Sequence, residues 1–138
     1  MTAETIHASC VAIEGRAILI AGPSGSGKSD LALRLIDRGA TLVCDDYTMV
    51  EPRDGRLWAS APATIAGRIE VRGVGILSMP YEIGAEVALV VACDVAPPRL
   101  PEPETRMVAG VVLPAGRVAA LEPSAPIKVE WMLKALPA

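Results

Sequence analysis

The segment Gly22-Pro23-Ser24-Gly25-Ser26-Gly27-Lys28-Ser29 fills the pattern G-x-x-x-x-G-K-S, and it constrains both the fold and the chemistry of the chain. The glycines let successive backbone N–H groups turn inward around phosphate oxygens. The lysine supplies a point charge for the β- and γ-phosphates, and the last hydroxyl can ligate Mg²⁺. The flanks agree with that reading. Ala17-Ile18-Leu19-Ile20-Ala21 is an unbroken apolar run of the kind that forms a buried strand. From Asp30 to Arg38, Leu31 pairs with Leu35 and Ala32 with Ile36 at helical spacing, and Gly39 ends the pattern. Strand, glycine-rich loop and helix in that order aim a helix N-terminus at an anion. The chain is therefore expected to bind a nucleotide through residues 22 to 29, in an α/β P-loop nucleotide-binding domain.

Length and composition narrow the company such a loop keeps. With 138 residues, the chain is expected to form one domain. That is too short for a nucleotide domain with a separate substrate domain, so an acceptor must be held by the same body, by a neighbouring subunit, or dock as a protein. Two Trp, two Tyr and no Phe make the core aliphatic and leave little for stacking on bases. A formal net charge of -3 and a pI near 5.1 give no basic footprint, which argues against nucleic acid as the main partner. Cys10, Cys44 and Cys93 lie in apolar surroundings without a C-x-x-C pair, and read as reduced core thiols rather than a disulfide framework or a zinc site. Met1 to Ile6 carries no targeting pattern, and no run approaches the ~18 apolar residues that span a bilayer. A cytoplasmic protein without a membrane segment is expected.

Around the loop, Ile6 to Ile13 reads as a strand turned by Glu14-Gly15-Arg16 into Ala17 to Ala21. The domain thus opens with an antiparallel hairpin, and the sheet is expected to be mixed. Thr41 to Cys44 is a short strand ending at Asp45-Asp46, and Asp54-Gly55 turns Met49–Glu51 into Leu57–Ala59. Further on, the pattern predicts a short helix in Pro62–Ile69, a Gly-interrupted run over Val71–Leu77, a buried strand over Val87–Ala92, a rigid Pro-rich linker over Pro97–Glu104 and one strand over Val108–Leu113. Ser124 is expected to cap a last amphipathic helix reaching Lys134, with Pro126 in its first turn.

Asp45 and Asp46 carry the second chemical signal. At the carboxyl end of a strand, carboxylates face the ligand crevice of a parallel α/β sheet. One can hold Mg²⁺ and the other can take a proton from an attacking hydroxyl, the two tasks of phosphoryl transfer, although an Asp-Asp pair can also simply begin a solvated turn. Glu70 and Arg72 share a face in extended backbone beside Gly73-Val74-Gly75, which reads equally as a surface ion pair beside a bulge. His7, the one histidine, would by itself be an ordinary strand residue.

The order of these pieces adds weight. His7-Ala8-Ser9, then Gly22 to Asp30, then Arg38-Gly39-Ala40-Thr41-Leu42-Val43-Cys44-Asp45-Asp46, then Ile69-Glu70-Val71-Arg72-Gly73-Val74-Gly75-Ile76 closely resembles the catalytic domain of bacterial HPr kinase/phosphorylase. The resemblance runs over about residues 5 to 92 and is greatest to forms lacking the family's N-terminal domain. It implies an ATP- and Mg²⁺-dependent protein-serine kinase acting on HPr or its nitrogen-system paralogue, small phosphocarriers of the phosphotransferase system, with a reverse phosphorolysis in many members. By position it makes Lys28 and Ser29 the phosphate and Mg²⁺ ligands, Asp45 the general acid/base, Asp46 a supporting carboxylate at the metal, Glu70 a second metal-site residue and His7 an active-site histidine. Arg117 stands for a basic residue of a late phosphate-contacting loop, and Asp30 replaces the family's usual Glu. The resemblance further implies a homo-oligomer, a hexamer; the amphipathic last helix, with Ile127, Trp131 and Leu133, is compatible with an interface, although a helix packed on the monomer's own sheet would show the same pattern. A small-molecule kinase and a non-catalytic ATP-binding regulator use the same loop and stay open as alternatives.

Overall fold

The computed structural model describes residues 3–137; Met1, Thr2 and Ala138, with the part of the targeting-segment reading that falls on Met1 and Thr2, lie outside the described residues. Ten strands and two helices follow in the order β1 (Glu4–Ile13), β2 (Arg16–Ala21), α1 (Lys28–Asp37), β3 (Thr41–Cys44), β4 (Tyr47–Arg53), β5 (Arg56–Ser60), β6 (Arg68–Val71), β7 (Gly75–Ser78), β8 (Ala85–Ala92), β9 (Glu104–Val108), β10 (Val111–Arg117) and α2 (Ala125–Lys134). Eight strands form one mixed sheet, as the opening hairpin requires: β1 pairs antiparallel with β2, whereas β2 pairs parallel with β8 and β8 parallel with β10. β8 also meets β5 through Ala85 and Glu86, so the path β2-β1-β4-β5-β8 closes on itself.

Side chains alternate across this curved sheet with the two-residue period of a strand. In β2, Ile18 and Ile20 enter a core shared with Leu31 and Leu35 of α1 and Val129 and Leu133 of α2. Ala17, Leu19 and Ala21 enter a second core inside the closed curl, with Ala8, Cys10, Val50, Leu57 and Val90. Strands buried on both faces carry unbroken apolar runs, which is why Ala17 to Ala21 shows no alternation in sequence. The three cysteines are free and buried, as expected. Among the described residues no helix is long and apolar enough to cross a membrane.

Three sequence expectations fail. Residues 63–67 form consecutive turns, closed by Ile65 N–H to Pro62 O and Arg68 N–H to Ile65 O, and not a helix. Gly67, at φ +75, ends them, and Ile69 then enters the core from β6. The single strand expected over Val108–Leu113 is a hairpin, since Ala109 and Gly110 both take positive φ and form the two-residue turn between β9 and β10. Its signal was weak because alanine holds a place usually filled by Asn, Asp or Gly. Ser124 occupies the N-cap of α2, but its side chain makes no capping hydrogen bond. On that helix Leu133 is buried, whereas Ile127 and Trp131 are exposed.

Candidate active site

The parallel strands end level with one another, Ala21 beside Ala92 and Ala92 beside Arg117. The loop Gly22–Gly27 leaves at that edge. Gly22 has φ +153, and a Cβ there would lie 2.6 Å from Ser26 Oγ, so the loop's tight return needs a residue without a side chain. Gly27, at φ +94, precedes the first turn of α1. Lys28 follows it and is almost fully buried, its ammonium donating to Pro23 O at 3.1 Å across the loop.

β3 and β4 both pair antiparallel with β1 and lie end to end along it, Cys44 opposite Cys10 and Tyr47 opposite Ala8. Asp45 and Asp46 are the residues between, thrown out of the ladder opposite Ser9. Asp46 has φ +65, and Tyr47 N–H bonds back to Asp45 O at 2.7 Å, a three-residue turn with the strain typical of functional positions. Buried Ser9 fastens this turn: its hydroxyl donates to Asp45 Oδ1 at 3.1 Å and accepts from Asp46 N–H at 3.0 Å.

The two carboxylates point to different partners. Asp45 accepts from Ser29 Oγ at 2.6 Å on Oδ1 and from the Glu70 backbone N–H at 3.1 Å on Oδ2, in addition to Ser9. Asp46 Oδ1 lies 2.8 Å from His7 Nε2 and 3.6 Å from Lys28 Nζ. The His7 ring in turn stacks on Tyr47, centroids 5.4 Å apart. A cleft of 620 Å³ collects Lys28, Ser29, Asp45, Asp46, Glu70 and Arg72, with the loop on one wall and β6 and β7 on the other.

Of the residues expected at the site, Gly22, Pro23, Ser24, Gly25, Ser26, Gly27, Lys28, Ser29, His7, Asp45, Asp46 and Glu70 are gathered at or beside this cleft. Arg117 is not. It ends β10, two strands from β2, and its guanidinium is engaged by Glu104 at 3.1 and 3.3 Å, outside the cleft lining. The resemblance put it in a phosphate-contacting loop; here Glu104 of the neighbouring strand β9 engages it. Ser9 was the opposite case. Its fastening role depends on the register of β1 against β3 and β4, which no local pattern states.

A family model, the HPr Serine kinase C-terminal domain, matches residues 1–90, well over half of the chain. The chain belongs to this family. An HPr kinase/phosphorylase of Clostridium tetani is 43% identical over 84 residues, covering 61% of the chain and 28% of the relative. One of Clostridium kluyveri is 46% identical over 84 residues, covering 61% and 27%. The chain thus spans little more than a quarter of the length of these curated relatives. Among solved structures, the HPr(Ser) kinase/phosphatase of Coxiella burnetii superposes with a TM-score of 0.81 at 28% identity, covering 95% of the chain and 94% of that one. The match over nearly the whole of both chains supports the mixed α/β fold, including the segments after residue 92 where the motif resemblance ends.

The residues at the cleft fit a Mg-nucleotide. The loop is a cradle that a Cβ at Gly22 would fill, and the buried Ser26 Oγ within it has no hydrogen-bond partner. Ser29, Asp45 and Glu70 offer oxygen donors only, the set a hard cation takes. Among the described residues no three His, Cys, Asp or Glu side chains form a metal cage of their own. Mg²⁺ is commonly held by one or two carboxylates together with substrate phosphates.

Proposed function

We propose that this domain is an ATP- and Mg²⁺-dependent serine kinase for an HPr-like phosphocarrier protein in the cytoplasm, with reverse phosphorolysis at the same site. The observation that carries the reading is the split of Asp45 from Asp46 around one phosphate loop in a chain of this family. Asp45 bonds to Ser29, the loop's Mg²⁺-ligand position, and also accepts from Ser9 and the Glu70 N–H, which leaves a lone pair on Oδ2 for a cation. That supports Asp45, with Ser29 and Glu70, on the metal side. Asp46 is 39% exposed and shares its Oδ1 between His7 and Lys28. That supports Asp46 as the general acid/base, the reverse of the roles read from the sequence.

An unactivated seryl hydroxyl is a poor nucleophile, and Asp46 is the carboxylate open to receive its proton. His7 orients that carboxylate through Nε2, while Lys28 stands within reach of the phosphates to balance charge in the transfer. Bound with the nucleotide, Mg²⁺ would neutralise charge on the transferring phosphoryl group. In the reverse direction Asp46 returns the proton to the serine oxygen. The test is incubation with Mg-ATP and a purified HPr-like protein, with the phosphate located by mass spectrometry. Phosphoserine on the carrier, lost with Lys28→Ala, is expected; an unmodified carrier would overturn the reading.

A further inference from the structure

We propose that Leu121 is the apolar platform for the nucleobase and that Arg34 positions it; the inference rests on the nucleotide reading of the cleft. The segment Val118–Ser124 leaves β10 at the same edge at which the phosphate loop leaves β2. That edge is where open α/β sheets bind ligands. Within the segment Leu121 is 72% exposed. A single exposed leucine is ordinary, but this one is held in place. Its neighbours Val118 and Ala120 are buried, and Arg34 reaches across from α1 to the carbonyls on both sides of it. Nη1 donates to Glu122 O at 3.0 Å and Nη2 donates to Ala120 O. Arg34 Nε also lies 2.9 Å from Asp30 Oδ2, an ion pair without a hydrogen-bonding angle. Two turn bonds, Glu122 N–H to Ala119 O and Ala125 N–H to Glu122 O, complete the brace.

The side chain so fixed lies against the phosphate loop. A Cβ on Gly27 would come within 2.9 Å of Leu121 Cδ2, and Leu121 lines the cleft together with Ser24, Gly25 and Gly27. Phosphates held by Lys28 and the first amides of α1 leave the rest of a nucleotide to pass over the start of that helix. There Leu121 offers an aliphatic face on which a flat base can bury one side. The cleft's aromatic side chain, Tyr47, is already stacked on His7. Leu121 carries no donor or acceptor, so it contributes affinity and reads no base edge.

Calorimetric titration with Mg-ATP and, separately, with magnesium tripolyphosphate separates base from phosphate contacts. Leu121→Ala should weaken ATP about tenfold, which is about 1.4 kcal/mol, and leave tripolyphosphate within about twofold. Arg34→Met should reproduce that split, and the double variant should be no worse than the weaker single one, because the two residues act on one contact. Equal losses for both ligands, unchanged ATP binding with Leu121→Ala, or additive losses in the double variant would each overturn the proposal. Leu121 is exposed, so its variant folds whatever the fate of Arg34→Met. A wild-type protein that binds neither ligand overturns the nucleotide reading itself and this inference with it.

Discussion

The two walls of the cleft are built in contrasting ways. The phosphate-loop wall grows out of the main sheet: Lys28 is almost fully buried, Leu31 and Leu35 of α1 are inaccessible, and Ser9 ties the Asp45-Asp46 turn to β1. The facing wall is a two-stranded sheet of its own, β6 and β7, in which every residue of β7 is exposed. An isolated hairpin is barely stable in water. Here it is anchored by Ile69 in the core, by Gly67 packed close to Tyr81, and by the bond from Glu70 N–H to Asp45. The phosphate-loop wall is thus braced by the main sheet, as the electrostatic stabilisation proposed for it requires. The facing wall turns Val74 and Ile76 to solvent, where the proposed acceptor would meet them.

The largest effects should therefore follow changes on the fixed wall. Asp46→Asn should lower phosphoryl transfer by ~10²–10⁴-fold, the range for loss of a general base, with ATP affinity within a few fold. Asp45→Asn should instead raise the Mg²⁺ concentration needed for half-maximal rate. Steady-state kinetics over a Mg²⁺ series distinguishes the two. Should Asp45→Asn abolish transfer at saturating Mg²⁺ while Asp46→Asn leaves it intact, the roles assigned here are exchanged.

Next comes the anchor of the hairpin. Ile69 is 1% exposed among Val11, Leu31 and Leu42, and Ile69→Ala should cost about 2–5 kcal/mol of stability, transfer and cavity terms together. Chemical denaturation measures it. Ile76→Ala, on an exposed strand, should stay within about 0.5 kcal/mol and appear only as a higher KM for the carrier. Equal costs for the two would mean that the hairpin stands by itself and that the contrast between the walls is false.

A smaller effect, about 1–2 kcal/mol, is expected of Gly27→Ala, which forces a side chain into left-handed backbone against Leu121. Thermal unfolding with and without ATP checks it: the loss should grow when nucleotide is present.

What the sequence revealed follows the same division. The fixed wall is made of contiguous segments whose local pattern is their structure: a buried strand, a glycine loop and a helix stopped by Gly39. Their order, with the Asp-Asp block and Glu70 behind them, pointed to residues of which Ser24, Gly25, Gly27, Lys28, Ser29, Asp45, Asp46 and Glu70 line one cleft. The different hydrogen-bond partners of Asp45 and Asp46, on which their proposed roles rest, were not legible, because they depend on a kink between two strands that share β1 as partner. Ser9 stays hidden for the same reason, and Leu121 because an exposed leucine carries no periodic signal. Arg117 lies outside the cleft lining, engaged by a carboxylate thirteen residues away that no local pattern indicates. The turns before β6 resembled a helix in spacing alone, with Gly67 supplying the bend.

The smallest expected effect is a reactivity that reports on the fixed wall. Cys44 precedes the Asp45-Asp46 turn, and Cys93 follows β8, its N–H bonded to Ala21 O at the mouth of the phosphate loop. Burial, the main cause for each, pushes both thiols up to about 11 from an ordinary value of 9.0. Folding thus favours the protonated thiols, and their contribution to stability is fully present below pH 9. It is lost as pH rises from 9 towards 11, because the unfolded chain releases its protons first. Denaturation midpoints should fall slightly over that window, and a double Cys44→Ala, Cys93→Ala variant should lose part of the fall. At pH 8 both thiols should alkylate slowly. They should stay slow in the Ile69→Ala variant if only the hairpin loosens; rapid labelling of Cys44 or Cys93 there, under conditions where the fold is retained, would show that the two walls open as one unit.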